Sequence, residues 1–256
     1  MNHKEDYTDI NSRTWDQWAN RSSPYTIPVS HETYLQALAG QWEIYLTPCL
    51  PVPKTWFGNL RGKEVLALAS GGGQQVPILA AAGAKVTLVD YSDAQLEADL
   101  MVMSRENYQA NIIKADMSKP LPFESNFFDM IVHPVANVYI EDVRSLWHEC
   151  YRVLKKEGSM LAGLDNGINF LIDEEKGLPL TVSNKLPYNP LQGDPEELRR
   201  MIEQGEGIQF SHTLDDQIGG QLKAGFVLLD LYEDRNFDGL LREYAPQYFC
   251  TLAKKP

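Results

Sequence analysis

The sequence predicts an α/β fold: a Rossmann-like, seven-stranded, mostly parallel sheet with an antiparallel last strand and helices on both faces. Three observations predict it. Apolar runs of strand length alternate with helix-length segments from residue 64 to 164, a rhythm that makes parallel strands covered by helices. The first run stops at Gly71-Gly72-Gly73 and passes at once into another apolar stretch, Val76 to Ala82. Two closing runs have no helix-length segment between them, so they pair antiparallel. An N-terminal helical cap, residues 1–60, precedes the main domain of residues 61–256, and a lid-like insertion, residues 166–210, follows the fifth strand.

The elements follow in order. A polar leader holds Trp15-Asp16-Gln17-Trp18, enough for one or two helical turns. Ser30 is a candidate N-cap with Glu32 in the turn behind it. Leu35, Leu38, Ala39, Trp42, Tyr45 and Leu46 then recur at helical spacing until the prolines at 48, 51 and 53. Residues 64–69 suit a strand buried on both faces. Residues 74–82 read as a helix, with Pro77 tolerable in its first turn and Gly83 ending it. A strand at 85–90, a helix from the cap Ser92 to about Glu106, and strands at 109–114 and 128–132 come next. Residues 141–156 put Val143, Leu146, Trp147, Cys150, Val153 and Leu154 on one helical face, with Lys155, Lys156 and Gly158 as its C-terminus. Residues 159–164 give the fifth strand. The insertion carries Leu178-Pro179, Leu186-Pro187 and a charged helix at 195–204, and an arm of this length inside a compact domain is usually functional. Thr213 caps a helix stopped by Gly225, and residues 226–233 and 247–253 are the last strands.

Of the 256 residues, 43% are hydrophobic and 23% charged, the balance of a folded domain with a full core. No apolar run approaches the roughly 20 residues of a membrane span, and the first residues lack the apolar core of a secretory signal. The expected location is the cytoplasm. A net charge of -12, with basic pairs scattered at Lys155-Lys156, Arg199-Arg200 and Lys254-Lys255, argues against nucleic acid as a partner. Cys49, Cys150 and Cys250 make no C-x-x-C pair and the histidines no H-x-x-x-H spacing, so neither a disulfide framework nor a metal site is expected. His3, His31, His148 and His212 read as surface or cap residues.

A buried strand that ends in glycines and leads straight into a helix lets the backbone approach a ligand closely, beside the helix's free N–H groups. Asp90, ending the second strand, faces the same crevice, where a carboxylate accepts from ribose hydroxyls. Together they point to a nucleoside. A nicotinamide dinucleotide would want G-x-G-x-x-G; the sixth position from Gly71 is Val76, so that fingerprint is poor.

Five blocks then follow in order: VLALASGGGQQ, VTLVDYS, IIKADMSK, FDMIVHP and ECYRVLKKEGSMLAG. With the later stretch FSHTLDDQIGGQLKAGFVLLDLYED they resemble the class I S-adenosylmethionine-dependent methyltransferases, in particular the type-11 small-molecule group that includes quinone-biosynthesis enzymes. The resemblance implies that Gly71 and Gly73 wrap the methionine part of the cofactor, with Ala69, Ser70, Gln74 and Gln75 lining the turn. It implies that Asp90 holds the ribose, Tyr91 packs on the adenine, and Asp116 with the Met117 backbone meets the adenine amino group. His133 and Pro134 would border the methionine amine and the acceptor; a histidine at a strand end reads by itself either as a satisfied core residue or as a general base near the acceptor. Asn137 and Tyr139 are the expected acceptor contacts, while Trp15, Trp18 and Tyr25 either fill core or fold over the pocket. The implied activity is in-line methyl transfer to a small molecule. A non-catalytic sensor of the cofactor or its demethylated product is the alternative, and a nicotinamide-dependent oxidoreductase a more distant one. The chain departs from the family pattern at Ala67, where an acid is usual, and at Ala69, where a glycine is usual.

Overall fold

In the computed structural model, residues 6–174 and 177–256 are described; His3, read above as a surface residue, lies outside them. Seven strands form one sheet in the order β3-β2-β1-β4-β5-β7-β6. They are β1 (Glu64–Leu68), β2 (Lys85–Asp90), β3 (Asn111–Lys114), β4 (Phe128–His133), β5 (Leu154–Asp165), β6 (Val227–Asp234) and β7 (Tyr248–Lys254). The first five pair in parallel, and β7 runs antiparallel between β5 and β6, as the missing crossover helix requires. Strand order reverses at β1, whose neighbours are β2 and β4. Such a switch point opens a crevice at the C-terminal end of the strand.

Each face of the sheet has its own core. One gathers Leu66, Leu68, Phe128, Trp147 and Cys150 under α5 (Val143–Val153) and α8 (Leu214–Ala224). The other gathers Val65, Ala67, Leu79, Leu88 and Phe57 under α3 (Gln75–Ala81) and the chain before β1. Alternate residues of β1 point into opposite cores, which is why EVLAL has no polar face. Fully burying one such large side chain is worth about 1.5–3 kcal/mol.

Three helices depart from expectation. The first, α1 (Tyr7–Asn20), is longer than one or two turns, with Asp6 accepting from the Thr8 N–H as its N-cap. Its sequence is too polar to hold a helix through burial alone; its partners, described below, hold it. The helix capped by Ser30, α2 (His31–Leu38), is shorter, because the chain turns at Gly40 with φ +84°. Trp42 to Leu46 is therefore not helical, Tyr45 bridges Pro51, and Leu35 and Leu38 stay exposed. The helix α5 ends at Val153, and Leu154 turns extended to begin β5 opposite Phe128. Lys155, Lys156 and Gly158 thus belong to a strand rather than a helix end, and Lys155 pairs with Asp129 at 3.0 Å.

The 166–210 segment forms α6 (Ile168–Leu171) and α7 (Pro195–Gln204) and leans on α1. Asn11 exchanges two hydrogen bonds with the Ile208 backbone: its Nδ2 donates to the carbonyl at 2.9 Å and its Oδ1 accepts the N–H at 2.6 Å. The Trp18 indole donates to the Gly205 carbonyl at 3.1 Å. A small satellite core of Ile10, Ile208 and Phe210 seals the joint. No helix among the described residues is long and apolar enough to cross a membrane.

Candidate active site

The glycine turn sits where β1 ends, and its geometry leaves no slack. A Cβ on Gly71 would lie 2.8 Å from Asp90 Oδ2 and 2.7 Å from Gln95 Cβ, and Gly73 holds φ +69° against Val102 and Pro28. Ala69, where a glycine is usual, also adopts a positive φ, +49°, a conformation costing an L-residue about 1–2 kcal/mol.

Carboxylates hold the turn by its backbone. The Gly71 N–H donates to Asp90 Oδ2 at 2.9 Å, and those of Gly72 and Gly73 both donate to Asp99 Oδ2 at 2.9 Å. Asp99 comes from α4 (Asp93–Glu106) and has no exposed surface. Burial, with Asp90 adding repulsion, pushes its carboxyl up to about 7 against the pull of the two glycine amides. Asp90 is raised by burial too; its other oxygen accepts from the Tyr91 and Ser92 N–H groups at 2.8 and 3.0 Å. Amides committed to carboxylates are not free to cradle phosphates, so this turn is unsuited to a dinucleotide's pyrophosphate.

Helix α1 fastens the loop after β2. Ser12 Oγ donates to the Tyr91 carbonyl at 2.8 Å, and the Tyr91 hydroxyl donates to Asp9 Oδ1 at 2.7 Å. Asp16 Oδ1 accepts from Ser92 Oγ at 2.6 Å and from the Ala94 N–H at 3.0 Å. On the other side of the turn, Gln74 Nε2 donates to the Tyr25 and Ile27 carbonyls at 3.2 and 3.1 Å, and Gln75 Nε2 to the Tyr45 carbonyl at 3.1 Å.

These pieces enclose a cavity of about 1690 Å³. Ala69, Ser70, Gly71, Gln74, Gln75, Asp90, Tyr91, Asp116, Met117, Pro134 and Tyr139 all line it, as do Trp15, Trp18 and Tyr25. Gly73 stands behind the wall, its carbonyl accepting from the Val29 N–H at 2.9 Å. Ser70 Oγ and Gln95 Oε1 are buried in the wall without a protein partner, the mark of groups that a polar ligand satisfies. With the glycine cradle and the Asp90 carboxylate, they fit a nucleoside cofactor. Tyr139, Asn169, Phe170, Tyr188, Tyr248 and Asp165 line the part built by the insertion and β5. Around the whole space stand Glu43, Asp90, Asp116, Asp165, Asp173, Glu174, Glu197 and Glu206, against Arg200 as the one cation among the described residues.

Besides Gly73, two expected site residues are not on this wall. His133 is fully buried in the core; its Nδ1 bonds the Leu68 carbonyl at 3.0 Å and its ring meets Trp147 edge-on. Burial drives its pKa down to about 4, so the ring is neutral and away from the cavity, unsuited to a general base. Asn137 also turns inward, its Nδ2 donating to Gln217 Oε1 at 2.8 Å. His212, expected at the surface, is buried beside it, with Nε2 3.1 Å from the Asn137 carbonyl. Gln95, Asp99, Ser12 and Asp16 were the residues not foreseen. One signal was available: Gln95 and Asp99, four apart, fall on the same α4 face as the buried Val102, where polar side chains need a local reason.

The chain and its fold are similar to known methyltransferases. Residues 66–162 match the family described as a methyltransferase domain. The chain is 42% identical over 253 residues to the Bacillus subtilis (strain 168) methyltransferase YbaJ, itself described as uncharacterized, covering 96% of this chain and 97% of that one. The chain belongs to the class I S-adenosylmethionine-dependent methyltransferases. The fold of this methyltransferase also resembles a solved S-adenosylmethionine-dependent methyltransferase of Mesorhizobium loti, with TM-score 0.61 at 16% identity over 78% of this chain and 94% of that one. A geranyl diphosphate methyltransferase solved in complex with S-adenosylmethionine gives 0.54 at 15% identity, over 79% of this methyltransferase and 82% of that chain. Its cofactor is S-adenosylmethionine.

Proposed function

We propose that the protein transfers the methyl group of S-adenosylmethionine in line to a small neutral or cationic acceptor, held under a roof of α1 and the 166–210 insertion. The observation that carries this reading is the cavity. At about 1690 Å³ it exceeds the roughly 300–1,000 Å³ of a pocket for one small ligand, leaving room for cofactor and acceptor together. Ser70, Gly71, Asp90, Tyr91, Asp116 and Met117 are the cofactor end of this reading, with Ala69, Gln74, Gln75 and Pro134 completing its wall. Tyr139, Phe170, Tyr188 and Tyr248 are the acceptor end. The excess of carboxylates over the single Arg200 favours a neutral or positive guest over phosphate-bearing ones, nucleic acid included.

The bound cofactor supplies an activated methyl on a sulfonium. A nitrogen, oxygen or carbon of the acceptor forms the new bond to that carbon as the C–S bond breaks and its electron pair stays on sulfur. The work of this chain is to align the two and exclude water, which can supply on the order of 7–11 kcal/mol of the barrier. Where the acceptor must shed a proton, Asp165 is suited to take it: it lines the cavity, and burial raises its pKa to about 6. Incubation with methyl-labelled cofactor and a fractionated cell extract tests the reading. Label should enter low-mass neutral or cationic compounds; label confined to nucleic acid or protein would overturn it.

A further inference from the structure

The turn of this methyltransferase is gripped by a carboxylate that does not line the cavity and has no cationic companion. Asp99 Oδ2 takes the N–H groups of Gly72 and Gly73, both at 2.9 Å, while Oδ1 has no hydrogen-bond partner. Among the described residues, no Lys, Arg or His pairs with it. The charged neighbour acting on it is another acid, Asp90, which holds Gly71 from β2. Tyr108, just past α4, is affected by its charge. As a device for satisfying two amides this is costly. A neutral amide side chain offers the same oxygen without burying a charge, and two like charges under one turn repel each other. Carboxyls perturbed by burial and a like-charged neighbour cluster at functional sites, where an arriving charge of opposite sign can compensate them.

The cofactor brings that charge, and only before the reaction. S-Adenosylmethionine carries a sulfonium; S-adenosylhomocysteine, left after transfer, has a neutral thioether at the same position and is otherwise alike. We propose that Asp99 is a positioning residue of the cofactor site, which fixes the glycine turn and, with Asp90, provides the negative charge that favours the sulfonium cofactor over its thioether product. The turn carries the grip to the cavity wall: Gly72 N–H also donates to the Gln95 carbonyl at 3.1 Å, and Gln95 and Gly71 line the cavity.

The test is a ratio of affinities. Calorimetric Kd values for the two ligands are measured at pH 8 on the full-length wild type, Asp99→Asn and Asp99→Glu. Both ligands share the amine, carboxylate, ribose and adenine, so their ratio isolates the sulfonium. Asp99→Asn keeps an acceptor for the glycine amides and removes the charge. Its preference for the sulfonium ligand should fall at least threefold relative to wild type. Asp99→Glu keeps the charge but misplaces the grip; both affinities should weaken by a common factor, leaving the ratio within about twofold of wild type. If Asp99→Asn changes both affinities equally, the residue is structural only and the proposal fails. If Asp99→Asn does not fold, the wild type decides by pH: lowering pH from 8 to 5.5, through the Asp99 titration near 7, should reduce the preference for the sulfonium ligand at least threefold, and an unchanged ratio overturns the proposal.

Discussion

At the scale of single residues, the site is a set of exceptions that the fold tolerates around one turn. Ala69 holds a left-handed backbone that glycine would adopt freely. Ala69→Gly should therefore stabilise the protein by about 1 kcal/mol, raising Tm by roughly 2–4 °C in a thermal melt. Asp99 makes a second prediction, with a sign fixed by its raised carboxyl. Folded, it titrates at about 7; unfolded, an aspartate titrates at about 3.9. Between these values the folded state binds the extra proton, so this group's contribution is full below about pH 4 and is lost as pH rises through 7. Relative to Asp99→Asn, wild type should lose stability from pH 4 to 8 and then run parallel, as read by urea unfolding at several pH values. His133 is the counter-example at this scale. The FDMIVHP block resembles a site-bordering motif, but in this chain that imidazole is a core residue, tied to the Leu68 carbonyl.

At the scale of elements, α1 joins the two halves of the cavity. It holds the β2–α4 loop through Ser12 and Asp16 and the insertion through Asn11 and Trp18. Asp16→Ala removes the acceptor for Ser92 Oγ and the Ala94 N–H, bonds to a charged group worth roughly 1.5–3 kcal/mol each. It should weaken cofactor binding about tenfold by calorimetry while leaving the circular dichroism spectrum of the folded protein unchanged. Much of the element order could be read from residues alone, because β1, β2, α4 and α7 carry strong local signals: apolar runs, the Ser92 cap, and Pro195 with its acidic first turn. What could not be read depends on contacts distant in sequence. The polar sequence of α1 gives no hint of its length, since its stability comes from β2, α4 and the insertion. The junction at Val153 was misplaced because LKKEG carries helix-ending signals as well as strand residues, and pairing of Leu154 with Phe128 decides between them.

At the scale of the whole molecule, the sheet sets the crevice and two flanking segments turn it into a cavity. The crevice was legible: the glycine turn after β1 and Asp90 after β2 predict it, and both stand at its wall. The acceptor end was legible only in part, Tyr139 being on the wall and Asn137 behind it, because the two-residue step between them in a helical turn of three residues per turn aims their side chains in different directions. The net charge of -12 is expressed locally as the carboxylate-rich lining, which matches a positively charged cofactor. If the turn in VLALASGGGQQ is where that cofactor binds, a side chain at Gly71, which would meet Asp90 and Gln95, must block it. Titrating S-adenosylmethionine into wild type and Gly71→Ala by calorimetry should give one site per chain in the wild type and at least 100-fold weaker binding in the variant. Equal affinity in the two folded proteins would put the cofactor somewhere other than this turn.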